Sequence, residues 1–397
     1  MVEQARPPAA ETATAQALIA RARGLAPLVH ASRAAIERER RLPDALVQAF
    51  VAAGFMRVKL PACLGGVGGG HPVTAIRIVE EVSRADGAAG WNLCLGLGQA
   101  IYAGFMREAT ARAIWSENPD TIIAGGINPP GRAIVQPGGY RVSGRFGFAS
   151  GCHQATRLFG NCRLYDGEQA HSRRNPDGSP AMRFMLFRPE ECEILDTWHT
   201  GGLRGTGSND VAVRERFVPE ELSFSVNDPA WPSDPLYRFA FYTQGSLAGV
   251  ALGLARGAID ALVELAQAKT PTGQTSLLRE RAAVQGDVAR AEALWRSSRA
   301  YLFEALDEAW QTALRGDPPT RDQRVQVRLA NIHAGEASAR AVDLMYNAAG
   351  ATAIYETSPL ERHFRDVHVA VQHFLLQGVQ IEDPGRALLG LPTRGPL

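Results

Sequence analysis

The stretch YNAAGATAIYETSPLERHFRDVHVAVQ, residues 346–372, decides how the rest of this 397-residue chain is read. It opens at the end of a long helical pattern, Arg321–Ala349, and holds a new helix start at Ser358-Pro359, because proline fits the first helical turn. From there Glu361–Gln377 reads as a final helix carrying His363, His368 and His373. Arg362 and Asp366 stand four apart, the spacing of an ion pair along a helix. No acidic residue occurs between Asp366 and Glu382. His368 and His373 are five positions apart, about 140° on a helix, so both cannot face one partner. The histidines share no metal-ligand spacing, and no metal site is expected.

Working outward, the chain divides into three compositional zones. Residues 1–120 are helical in pattern. In PDALVQAFVAAGF the apolar residues recur every three or four positions, with Pro43 at the start and Gly54 at the end. A glycine cluster, Gly65–Gly70, interrupts this zone. Residues 121–222 change period: TIIAGGI, RAIVQPG, GYRVSGRFGFAS, TRLFGNCRL, RFMLFRP, CEILDTW and VAVRERFVP are short, β-branched or aromatic runs separated by turn residues. Pro137-Gly138-Gly139 marks a hairpin, and HSRRNPDGSP a polar surface loop. This zone reads as an antiparallel β domain. Residues 223–397 are helical again, with further long runs at Ser276–Gly316 and Arg321–Ala349. The Gly- and Ala-rich segment Gly245–Ala268 allows helix backbones to approach closely, and its face from Gly245 to Ala261 suits packing between subunits. The fold class is therefore mainly α with a central β domain: an N-terminal helical domain, the β domain and a C-terminal four-helix bundle.

Composition narrows the function classes. With 42 basic and 41 acidic residues the net charge is +1, and no basic block marks a nucleic-acid or membrane surface. Five cysteines without a C-x-x-C pair fit reduced thiols. The first residues lack an apolar signal core, and the apolar run from Leu247 meets Arg256 too soon to span a membrane. The expected location is the cytoplasm.

The sequence resembles the acyl-CoA dehydrogenase superfamily over nearly its whole length. RLPDALVQAFVAAGFMRVKLPACLGGVGGG is similar to the N-terminal helix pair and glycine loop of that family. WHTGGLRGTGSNDV is similar to the motif closing its β domain, and YNAAGATAIYETSPLERHFRDVHVAVQ to its flavin-side glycine turn and final helix. Ala85-Asp86-Gly87…Gly90-Trp91 and Gly205-Thr206-Gly207-Ser208 are also family-like. Many dehydrogenases in this family carry a catalytic glutamate shortly after an R-D dipeptide. Here Arg365-Asp366 is followed by VHVAVQHFLLQ, and Phe374 stands near the expected carboxylate. Together with Phe148-Ala149-Ser150-Gly151 at a strand end, this resembles the two-component monooxygenase branch, which includes 4-hydroxyphenylacetate and secosteroid-phenol hydroxylases and dibenzothiophene oxygenase. The resemblance implies FMNH2 or FADH2 from a separate reductase, O2 as co-substrate, a C4a-hydroperoxyflavin and oxygen transfer to an aromatic or heteroaromatic small molecule. It also implies a homo-oligomer, usually a tetramer, associated through the bundle.

That resemblance assigns roles to particular residues. Ser150 would meet flavin N5, with Gly151 allowing close backbone approach; its bland alternative is a serine capping a strand end. His373 would donate to the activated oxygen or assist substrate deprotonation, against the alternative of a packed histidine. Trp91, His368 and Phe374 would line the substrate pocket, although a buried tryptophan is as readily structural. The branch often has a histidine beyond this tryptophan, and LCLGLGQA has none. Asn128, Pro130 and Gly131 would border the flavin, and Arg204, Thr206 and Ser208 would contact its phosphate or ring unless they serve the loop alone. The arginine that meets the FAD diphosphate in dehydrogenases is not recognisable, so FMN and FAD stay equally open. A dehydrogenase with a relocated base, an N-oxygenase and a non-catalytic flavin binder are the remaining alternatives.

Overall fold

Helices precede and follow a single sheet in the computed structural model, which describes residues 13–67, 70–168, 171–239 and 246–395. The first set is α1 (Ala13–Gly24), α2 (Ala26–Glu39), α3 (Asp44–Ala52), α4 (Pro72–Ala85), α5 (Gly87–Gln99) and α6 (Glu108–Glu117). As read from sequence, α3 starts after Pro43 and stops before Gly54, whose φ of 80° is left-handed. Asp86 ends α4 and starts α5, its carboxylate accepting the Ala89 amide hydrogen at 2.9 Å, which satisfies one of the free donors of the new helix. Gly68, Gly69 and Gly245 lie outside the described residues.

The sheet contains β1 (Ile123–Gln136), β2 (Gly139–Phe146), β3 (Arg157–Tyr165), β4 (Met182–Phe187), β5 (Glu193–Leu195), β6 (Asp210–Pro219) and β7 (Ser223–Phe224), in the order β5-β6-β2-β1-β3-β4-β7. The hairpin at Pro137-Gly138 joins β1 to β2, with Gly138 at φ 77°. The polar 171–180 excursion lies on the surface. The expected all-antiparallel sheet is corrected in one place: β1 and β3 are parallel. After β2 the chain does not turn back beside it. It hops across the start of β1, and the hop, residues 147–156, carries Phe148 and Ser150. Phe146, the last residue before the hop, is fully buried over glycines of three adjacent strands. An added Cβ at Gly131, Gly144 or Gly160 would stand 2.8, 2.8 or 2.1 Å from its ring. The glycines clear room for the ring, and the ring fixes where the hop begins.

The second helical set is α7 (Ser246–Ala268), α8 (Ala282–Leu314), α9 (Arg321–Ala349), α10 (Pro359–Ala370) and the short α11 (Glu382–Leu388). The small-residue face of α7 packs inside the chain, against α4, and this replaces the expectation that it joins subunits. A Cβ at Gly249 would lie 2.8 Å from the Ile76 carbonyl oxygen, at Gly253 2.4 Å from that of Glu80, and at Gly257 2.5 Å from that of Arg84. Those contacts are backbone and cannot rotate away. Gly253→Ala gains about 1 kcal/mol of helix propensity, yet the overpacking it forces costs roughly 1–3 kcal/mol or more. The net expectation is a loss of stability, checked by the chemical-denaturation midpoint.

The final helix also ends earlier than its sequence suggests, at Ala370 rather than Gln377. The amide of His373 reaches back to Ala370 in a tighter turn at 3.1 Å, and its ring Nδ1 accepts the Leu375 amide hydrogen at 3.3 Å. A side chain that captures a nearby backbone donor competes with the helical ladder, and here it turns the chain. Among the described residues no helix is long and apolar enough to cross a membrane.

Candidate active site

Three segments far apart in sequence meet at Ser150. The hop after β2 is laced to the loop before β6: the Ala149 amide donates to Asn209 O at 3.1 Å and that of Gly151 to Thr206 O at 3.0 Å. Asn92 of α5 donates to Gly205 O at 3.2 Å. From the other side, buried Asp366 of α10 accepts the Leu203 amide hydrogen at 2.6 Å. The loop at residues 203–209 is thus held between α5, α10 and the hop. Arg362 binds Asp86 at 2.8 Å, so the expected pair with Asp366 is corrected: each side chain has a tertiary partner instead. Burial raises the Asp366 carboxyl above the usual range, and the negative charge of Asp86 adds to that shift.

Hydroxyls and aromatic rings converge inside this frame. Trp91 Nε1 donates to Ser150 Oγ at 3.1 Å, and Ser150 Oγ lies 2.6 Å from Ser208 Oγ. Ser208 Oγ lies in turn 2.6 Å from Thr206 Oγ1, which donates to Leu203 O at 2.9 Å. The His373 ring meets the Trp91 ring edge-on with centroids 5.6 Å apart, and the Phe374 ring lies beside it, tilted, at 4.8 Å. Burial, followed by the positive charge of Arg328, pulls the His373 pKa down to about 4. The ring is therefore neutral at working pH. Because Nδ1 accepts from Leu375, the remaining hydrogen sits on Nε2, and His373 is a neutral donor whose basic lone pair is already engaged. Among the described residues no carboxylate takes part in this cluster of Trp91, Ser150, Ser208, Thr206 and His373.

Comparison with known proteins shows the family of the chain. The model for the acyl-CoA dehydrogenase N-terminal domain matches residues 12–111, and that for the C-terminal domain residues 246–378. An indole-3-acetate monooxygenase of Pseudomonas putida is 32% identical over 357 residues, covering 89% of each chain. The oxygenase subunit HsaA, a flavin-dependent monooxygenase of Mycobacterium tuberculosis, is 30% identical and covers 94% of this chain and 93% of its own. The chain belongs to the acyl-CoA dehydrogenase superfamily. Within it, the protein is a flavin-dependent monooxygenase, an oxidoreductase of the oxygenase-component type. Among solved structures, XiaF from Streptomyces, in complex with FADH2 and glycerol, superimposes with a TM-score of 0.87 at 24% identity, covering 96% of this chain and 97% of that one, which is a likeness of fold.

The surface of this monooxygenase around Ser150 fits a flavin. Phe148 is 73% exposed, held at φ 57°, and meets Trp198 edge-on at 6.2 Å; an aromatic ring presented to solvent in a left-handed backbone offers its face to a flat partner. Beside it, β1 bulges between Gly126 and Gly131, which exposes Asn128 and half-buries Pro130. The Gly147 amide donates to Asn128 O at 3.2 Å, so bulge and hop form one edge. Behind them, Asn92 Oδ1 is buried without a hydrogen-bond partner, 3.4 Å from where a Gly151 Cβ would stand. Gly151, at φ 76°, keeps that approach open.

The remaining expected site residues fall elsewhere. Gly131 is buried beneath Phe146. Arg204 is half-exposed and lies 3.5 Å from Glu37. Thr206 and Ser208 are buried behind Ser150. His368 pairs with Asp343 at 2.9 Å and packs on Phe364, apart from the Trp91–His373 contact. Sequence reasoning missed Asn92 and Phe148. Asn92 had one available signal, a polar side chain in the middle of a helix made mostly of Gly, Ala and Leu.

Proposed function

We propose that this monooxygenase hydroxylates an aromatic or heteroaromatic small molecule, with its reduced flavin delivered by a separate reductase and O2 as co-substrate. The flavin is FADH2 or FMNH2, and when bound it supplies the two electrons needed to split O2 between product and water. One observation carries the reading. A neutral histidine, its Nε2–H free to donate, packs against Trp91 in a cluster to which no carboxylate among the described residues contributes as a dehydrogenase base. The aromatic substrate class rests on Trp91 and Phe374, whose rings flank that donor. The named substrate of the indole-3-acetate relative agrees with it in kind. N-hydroxylation of an amine is the nearest variant of the same chemistry.

The residues of the chain divide the work. Ser150 would meet the N5 edge of the flavin, and Phe148 and the Asn128–Pro130 bulge would border the ring. His373 donates to oxygen where negative charge develops, and its partial burial against Trp91 strengthens that hydrogen bond. Proton removal from substrate is not assigned to His373, because its lone pair is held by Leu375. Association into a tetramer is part of the same proposal. It is supported by the exposed apolar side chains Ile354, Tyr355, Val379, Ile381, Leu388 and Leu389 near the C-terminal end of the fold. Light scattering is expected to give four times the chain mass of 42.7 kDa, and a single-chain mass would remove the tetramer.

The test of function is kinetic. Protein and FMNH2 or FADH2 are combined without oxygen and then mixed with O2 while oxidised flavin is followed by absorbance. A delayed return of oxidised flavin is expected. Return as fast as for free flavin would sink the oxygenase reading, and reduction of bound FAD by an acyl-CoA would put a dehydrogenase in its place.

A further inference from the structure

The four groups behind Ser150 form a directed chain, and its direction has a chemical consequence. Leu203 O can only accept and Trp91 Nε1–H can only donate, so the two ends are fixed. With every hydroxyl pointing from Trp91 toward Leu203, each link is made: Trp91 to Ser150, Ser150 to Ser208, Ser208 to Thr206, and Thr206 to Leu203 O. Reversing the three hydroxyls keeps Trp91 donating to Ser150 and reverses both 2.6 Å links, but gives up the bond to Leu203 O. That oxygen is not orphaned, since the Thr206 amide and Trp198 Nε1 also reach it at 3.1 and 3.0 Å. The reversed chain is nonetheless one hydrogen bond poorer. The forward sense is the ground state, and in it the Ser150 proton is already committed to Ser208. One lone pair of Ser150 takes Trp91, and the other is left to accept.

We propose that Thr206 and Ser208 are positioning residues that hold Ser150 as a hydrogen-bond acceptor, so that the site selects a flavin carrying hydrogen on N5 over one that does not. This rests on the reading that Ser150 faces N5. Reduced flavin has an N5–H to offer the waiting lone pair. Oxidised flavin presents a bare nitrogen there, which either faces the Ser150 lone pair or requires the whole chain to reverse. Cofactor exchange then follows from wiring inside the protein: the spent form loses a bond that the fresh form makes. Thr206 and Ser208 are 1% and 4% exposed, and they act only through Ser150.

The test is the ratio of dissociation constants for the two redox forms, measured anaerobically with FAD and FADH2, and again with FMN and FMNH2. The wild type is expected to favour the reduced form, and Thr206→Val to lower that preference about fivefold, the weight of one hydrogen bond. Valine keeps the shape of threonine, leaves Ser150 and Ser208 in place, and removes both the link to Leu203 O and the acceptor of the Ser208 hydroxyl, so the chain loses its directing end. Thr206→Ser, which restores a hydroxyl, is expected to restore the ratio. Ser208→Ala frees the Ser150 proton directly and should lower the ratio as well, so a poorly folded Thr206→Val protein still leaves a reading. If wild-type and variant proteins bind both forms with an unchanged ratio, the chain has no directing role while the flavin site stands. If the wild type binds neither form of either flavin, the assignment of Ser150 to N5 fails and the directing role fails with it.

Discussion

Replacing His373 with alanine is expected to divert most O2 consumption into H2O2, with hydroxylated product falling about a hundredfold. The size follows from what the ring does. It is a neutral donor held against Trp91, and a single preorganised donor to developing negative charge is commonly worth two orders of magnitude in rate. Alanine also removes the edge contact with Trp91 and the acceptor of the Leu375 amide hydrogen, so the turn that ends α10 loosens together with the site. The pH dependence separates a neutral donor from an ionising one. With its pKa near 4, His373 keeps one protonation state across the neutral range, and coupling of O2 to product is expected to show no step near 6.5. The measurement is the ratio of H2O2 to hydroxylated product from pH 5.5 to 8, with indole-3-acetate and simple phenols as probes. An alanine variant that couples as well as the wild type would remove His373 from the mechanism.

A second large effect is expected at Asp366, which acts through the loop at residues 203–209. Asp366→Ala takes away the acceptor of the Leu203 amide and leaves that donor buried beside the Arg362–Asp86 pair. Leaving a buried backbone donor without its acceptor costs about 1–3 kcal/mol, and the loss is expected in the urea midpoint together with weaker flavin binding, since the loop at residues 203–209 is held by this contact. Asp366→Asn keeps an oxygen for Leu203 and removes the repulsion with Asp86. It is expected to cost less than about 1 kcal/mol, in the range of a surface-like change. The pH dependence has a definite sign. Burial and Asp86 raise the folded-state pKa of Asp366, while Arg365 and Arg362 oppose the shift. Its contribution to stability is therefore complete below the pH at which an unfolded aspartate titrates, and it is lost as pH rises through the raised value. The stability of the asparagine variant relative to wild type should accordingly improve on going from pH 5 to pH 8. A difference that stays constant, or moves the other way, would contradict a raised Asp366.

These two residues also show where the sequence was legible. The element order, the helix at Arg321–Ala349 and the hairpin at Pro137-Gly138 could be read directly, because helix periodicity and turn chemistry are local properties of a few neighbouring residues. What could not be read depends on partners far along the chain. Arg362 and Asp366 have the spacing of a helical pair, yet their partners are Asp86 and Leu203, and nothing in an i,i+4 interval reports a tertiary competitor. The small face of α7 announces close packing without saying against what, and α4 is the answer. The parallel pairing of β1 with β3 turns on a chain hop that no strand pattern encodes. At the site, Ser150, Trp91 and His373 were all named from sequence, and the structure brings them together. The tautomer of His373 and the order of hydrogens behind Ser150 emerged only from distances, and Arg204 and His368 are seen with carboxylate partners of their own.

The most direct test of the account follows the oxygen atoms. Wild-type protein is supplied with FADH2 or FMNH2 and an aromatic acceptor such as indole-3-acetate or a phenol, under O2 labelled with the heavy isotope. The account predicts that the hydroxylated product carries one labelled oxygen, the other leaving as water. Label recovered only as H2O2, with every aromatic acceptor unchanged, would contradict it.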